Sequence, residues 1–149
     1  MTDDIRILRI PDKYAALGIA VHFIAKREPF AKFGFGEFAH TLDGQIRRGH
    51  YFMAFRGNKV IGYVGYALYT SADAKAFAET GRPPDNPASG GDVLWLLTMV
   101  AVDDTIVDGL TRRLSHEYAG HRTMGIRYKA DGSRRFFDLK IRDRSRAPR

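Results

Sequence analysis

The sequence has no cysteine in its 149 residues. That excludes a disulfide framework, a thiolate metal site and a cysteine nucleophile, and it fits a reducing, cytoplasmic setting. Long hydrophobic runs are missing too. The longest, Val93–Val102, falls well short of the ~20 apolar residues a membrane-spanning helix needs. Met1–Arg9 carries Asp3 and Asp4 and no apolar stretch, so it does not read as a secretory signal. The five histidines show no ligand spacing with carboxylates, and no metal is expected. There is no internal repeat.

What the sequence does have is aromatic and basic. Hydrophobic residues make up 44%, with ten Phe, seven Tyr and one Trp, enough for a folded core. The length suits one domain over residues 1–149, with 1–12 as a leader and 142–149 as a basic tail. The net charge of +7 is uneven: residues 134–149 hold six Arg and one Lys against Asp138 and Asp143, while 1–133 hold 17 basic and 15 acidic side chains. In the ordinary reading this end is a solvated, frayed terminus. In the functional one it is a patch for an acidic protein, a membrane surface or nucleic acid. It lacks interleaved aromatics and any nucleic-acid motif, so an acidic protein partner is expected rather than nucleic acid.

The periodicity predicts a short strand at Ile5–Ile10 and a helix from Lys13 to Lys26, with Leu17, Val21 and Ile24 at helical spacing. Pro29 closes that helix or opens a loop, and an aromatic, Gly-rich stretch runs to Phe38. A second helix places Phe38, Leu42 and Ile46 on one face and stops at Arg47-Arg48-Gly49. Tyr51–Phe55 and Val60–Leu68 read as strands joined at Gly57-Asn58. A short helix over Ala72–Glu79 and a Pro-rich loop from Gly81 to Gly91 follow. Val93–Val102 reads as a strand buried on both faces. Thr105–Tyr118 reads as an amphipathic helix capped by Asp103 or Asp104. A last hairpin joins Met124–Lys129 to Arg135–Ile141 through Ala130-Asp131-Gly132-Ser133. The order predicts an α+β fold, a mixed sheet flanked by helices. It resembles acyltransferases of the GNAT type, in which a central strand and the following helix hold the acyl donor.

That resemblance implies a Gly-rich loop after the central strand, where backbone N–H groups hold the pyrophosphate of coenzyme A. This chain has Val102-Asp103-Asp104-Thr105 there. Carboxylates would repel a polyanion, so coenzyme A is not expected.

The segment Gly90-Gly91-Asp92-Val93-Leu94-Trp95-Leu96-Leu97-Thr98-Met99-Val100-Ala101 resembles the central block of the toxin-activating lysine acyltransferases. Ile46–Tyr51 with Val60-Ile61-Gly62-Tyr63, the stretch Gly65-Tyr66-Ala67-Leu68, and Ile126-Arg127 with the hairpin to Phe137 extend the similarity over roughly residues 17–140. Members of that family move a fatty acyl group from acyl carrier protein to lysines of RTX haemolysins. The resemblance implies no bound cofactor, an acidic partner such as acyl carrier protein, and a possible homodimer. It also implies a catalytic pair, a His after the first helix and an Asp in the central strand. Those positions fall on Phe30 and Thr98, and neither side chain can move a proton as an imidazole–carboxylate pair does.

Two readings follow. In one the chain is a degenerate relative that binds a protein or acyl ligand. In the other it is an active acyltransferase with unrecognised groups, for which His22, on the first helix, is the candidate base. His40, His50, His116 and His121 read as surface or structural. The aromatic cluster Phe30–Phe38 reads as core lining, or as one wall of an acyl groove or a partner patch. Trp95 reads as core or as part of the acyl groove. Arg127, Lys129, Arg134 and Arg135 would form the face for an acidic carrier, or else solvated strand ends.

Overall fold

The computed structural model describes residues 4–28, 30–84, 90–128 and 134–141, with 126–128 and 134–136 described by backbone alone. Pro29, the middle of the Pro-rich loop, the Ala130–Ser133 turn and the basic tail lie outside them. The elements are β1 (Ile5–Leu8), α1 (Lys13–Ile24), a 3₁₀ turn (Phe30–Lys32), α2 (Phe35–Arg48), β2 (Tyr51–Arg56), β3 (Lys59–Tyr69), α3 (Ser71–Thr80), β4 (Val93–Ala101), α4 (Asp104–Glu117), β5 (Arg122–Tyr128) and β6 (Arg134–Lys140). The strands form one six-stranded sheet in the order β1-β2-β3-β4-β5-β6. β4 and β5 run parallel, while β1–β2, β2–β3 and β5–β6 pair antiparallel. The fold is α+β, a mixed sheet flanked by helices. Among the described residues no helix is long and apolar enough to cross a membrane.

Two compact units emerge: Met1–Gly65 with Thr98–Thr111, and Tyr66–Leu97 with Arg112–Arg149. In the first, α1 starts at Asp12, whose carboxylate accepts the N–H groups of Tyr14 and Ala15. α2 stops at Gly49, where φ of 74° is a left-handed cap that glycine adopts without strain. The Lys13 ammonium reaches the Arg47 carbonyl, so the start of α1 meets the end of α2. Their shared core joins Ala16, Ala20, Phe23 and Ile24 of α1 to Phe38, Leu42 and Ile46 of α2, with Tyr51, Met53, Phe55, Tyr63 and Val100 from the strands. Each large apolar side chain buried there contributes roughly 1.5–3 kcal/mol.

Of the three residues at helical spacing on α1, Ile24 is buried. Leu17 and Val21 are only half-buried, and the buried stripe is Ala16, Ala20, Phe23 and Ile24. The helix is apolar on most sides, so spacing alone does not choose its inner face. Small Ala16 and Ala20 let the helix approach the core closely.

Gly62 does similar work on β3. A Cβ there would overlap Ile106 and press on Leu110 of α4. α4 is capped as expected, by Asp103, which accepts the Ile106 N–H at 3.0 Å.

In the second unit α3 is capped by Thr70 and buries Ala74 and Phe77. Phe77 stacks on Trp95 at 4.2 Å and 17°, with Tyr69, Val93 and Met124 around them. Gly91 lies so close to the backbone of Tyr69 and Thr70 that a side chain would overlap it. β4 is fully buried over Val93–Trp95, but Leu96, Leu97, Met99 and Ala101 are half-buried. Its parallel register with β5 runs from Val93↔Arg122 to Leu96↔Gly125.

Candidate functional site

Thr98 is 4% exposed. Its Oγ1 accepts a hydrogen bond from the Nε2 of Gln45 at 3.1 Å. The Oε1 of Gln45, a residue with no exposed surface, accepts the Tyr63 hydroxyl at 2.7 Å. Three side chains from α2, β3 and β4 thus form a buried polar chain. Such a chain is stabilising when satisfied and costly when broken. Gly65 makes room for it, because a Cβ at that position would coincide with the Gln45 amide.

Tyr63 in turn stacks on Tyr51 at 6.0 Å and 16°. The Tyr51 hydroxyl accepts from the Ile10 N–H at 2.7 Å and donates to the Ile10 carbonyl at 3.1 Å. Burial pushes the Tyr51 phenol above its ordinary value, opposed by the Ile10 hydrogen bond and the Arg9 charge.

Phe30 sits in the 3₁₀ turn, half-buried against the same core. Its ring meets Phe33 edge-on at 5.5 Å and Phe38 at 6.3 Å. Phe30 and Thr98 therefore belong to one unit, where one is a packing residue and the other anchors a glutamine. His22 is exposed in the last turn of α1. His40 and His116 are also exposed, whereas His50 is 6% exposed and its Nδ1 accepts from Arg48 at 3.3 Å. His121 packs edge-on against Tyr118 at 5.4 Å.

Trp95 is 2% exposed and enclosed by Phe77 and Tyr69, which puts it in the core of its unit. Arg127 is in register with Arg135 and Tyr128 with Arg134 across the β5–β6 ribbon. Lys129 lies outside the described residues. Further down that ribbon Arg122 and Asp138 form a bidentate pair, and the carboxylate raises the Arg122 guanidinium above its ordinary value. This pair edges an open groove of about 360 Å³ whose other walls are Ser71, Lys75, Ala78 and Glu79 of α3 with Val93 and Met124.

Sequence reasoning missed Gln45. The available signal was a polar side chain at i+3 from Leu42 and next to Ile46, on the apolar face of an amphipathic helix. Such a residue is buried only if it finds partners.

Comparison with models of known protein families and with curated proteins finds no match to this chain. Two glycines near β3 and β4 have packing reasons. Gly62 admits α4 and Gly91 admits the Tyr69–Thr70 backbone.

Proposed function

We propose that this chain is a divergent relative of the toxin-activating lysine acyltransferases, GNAT-like in fold, that binds a protein or acyl ligand without transferring the acyl group. The observation that carries this reading is the hydrogen bond from buried Gln45 to Thr98. The family's pattern asks for an aspartate there, orienting a basic imidazole. A general base must reach the proton it takes and titrate near working pH. A threonine hydroxyl holding a glutamine does neither, and the phenyl ring of Phe30 has no proton to exchange.

The parallel pairing of β4 with β5, linked in sequence by α4, supports the GNAT-like part. Asp103 supports a carrier protein over coenzyme A. Its carboxylate already accepts the Ile106 N–H, at the helix start where a pyrophosphate would need free donors. Opposed Arg127 and Arg135, with Arg134 beside them, support an acidic partner such as acyl carrier protein.

The test is incubation with acyl carrier protein bearing a labelled acyl chain, together with lysine-bearing acceptor proteins. Mass spectrometry is expected to find the acceptor unmodified, while calorimetry finds the carrier or a free fatty acid bound. Acyl transfer to lysine overturns the non-catalytic half. Failure to bind carrier or fatty acid overturns the binding half.

A further inference from the structure

We propose that the groove between α3 and the β5–β6 ribbon binds a free α-amino acid with a large apolar side chain. This site belongs to the second unit and goes beyond the reading built on Thr98, which belongs to the first. Its volume of about 360 Å³ falls at the small end of ligand pockets, which suits a single small molecule.

The groove has an apolar floor and a charged rim. Val93 and Met124 are buried and line it, so an apolar side chain laid over them loses water on both sides. The charged side chains that line it are Lys75 and Glu79 of α3, Arg122 of β5 and Asp138 of β6, and their charges cancel. A ligand of one charge sign meets a like charge on this rim, whereas a ligand that carries both signs can match it.

The rim keeps groups open for such a ligand. Asp138 occupies the Nε and one terminal nitrogen of Arg122. The guanidinium has five N–H groups, and its other edge, shared by the two terminal nitrogens, has no hydrogen-bond partner among the described residues. That edge is a second fork of the kind a carboxylate fits, and Asp138 holds it in place. Lys75 and Glu79 are exposed, one helical turn apart on the groove side of α3, and neither has an ion pair among the described residues. Lys before Glu at this spacing is the weaker order for pairing within a helix. The ligand's carboxylate therefore meets Arg122 and Lys75, its ammonium meets Glu79, and its side chain covers Val93 and Met124.

The test is calorimetric titration of the full chain with L-leucine, N-acetyl-L-leucine, L-leucinamide, glycine and octanoate at low salt. Leucine is expected to bind. The acetylated form lacks the ammonium, the amide lacks the carboxylate and glycine lacks the side chain, so each should bind about tenfold or more weakly. Octanoate has the carboxylate and the chain but no ammonium, and should fall with them. Glu79→Gln changes an exposed side chain with no ion pair, so the thermal midpoint should move by no more than a few degrees. The variant should lose about tenfold or more of the affinity for leucine and bind N-acetyl-L-leucine as wild type does. No binding of leucine at millimolar concentration overturns the proposal. Octanoate or N-acetyl-L-leucine bound as tightly as leucine overturns it too, as does a Glu79→Gln chain that binds leucine like wild type.

Discussion

The side-chain amide of Gln45 donates to the Thr98 hydroxyl at 3.1 Å, tying the last turn of α2 to the middle of β4 inside the first unit. Thr98 is one end of an internal brace. Stability should therefore be sensitive at these positions.

Thr98→Val keeps the shape and removes the acceptor. The Gln45 amide then loses its partner in a buried site, which costs about 1–3 kcal/mol. Urea unfolding should show a lower midpoint with an unchanged slope. A midpoint equal to wild type would mean that the hydrogen bond contributes nothing.

Gly65→Ala should be worse, because its methyl group coincides with the Gln45 amide. A loss of about 2–4 kcal/mol is expected from overpacking combined with displacement of a buried polar group. Gln45→Ala in the same chain should recover part of it, so the two changes will be non-additive in a double-mutant cycle. Strict additivity would show that the clash is relieved elsewhere.

The legible parts of this fold were those where period and punctuation agree. α2 announces itself by Phe38, Leu42, Ile46 and the Gly49 stop, and the β2–β3 hairpin by Gly57, which has a φ of 60°. The Asp103 cap was legible from its place between an apolar strand and an amphipathic run. The inner face of α1 was not, because apolar residues surround that helix and only the third dimension selects Ala16, Ala20, Phe23 and Ile24. The Gln45 chain was not legible either. Its partners lie 18 and 53 residues away in sequence, and no local pattern encodes pairing at that distance.

Tyr51→Phe removes the hydroxyl that bridges the Ile10 N–H and carbonyl, at a cost of about 1–2 kcal/mol near neutral pH. It also changes the alkaline limb. Burial holds the folded-state phenol above 10.0. The neutral form is thus favoured in the fold, and its contribution is complete below the unfolded value. It is lost as pH rises through the folded value. The stability difference between wild type and Tyr51→Phe should stay flat to about pH 10 and shrink above it. A difference that grows with alkalinity would contradict the assignment.

Phe77→Ala opens the side of Trp95 that it stacks against. About 3 kcal/mol should be lost, and the emission of the single tryptophan should move to the red as water reaches the ring. An unshifted emission would show that the pocket closes over the gap.

The most direct test of the central claim, that Thr98 and Phe30 hold the fold where catalysts would stand, is acyl transfer by the wild-type chain. With labelled acyl carrier protein as donor and lysine-bearing proteins as acceptors, mass spectrometry should find no acylated lysine above a protein-free control. Acylated lysine that accumulates with the amount of chain added would contradict it.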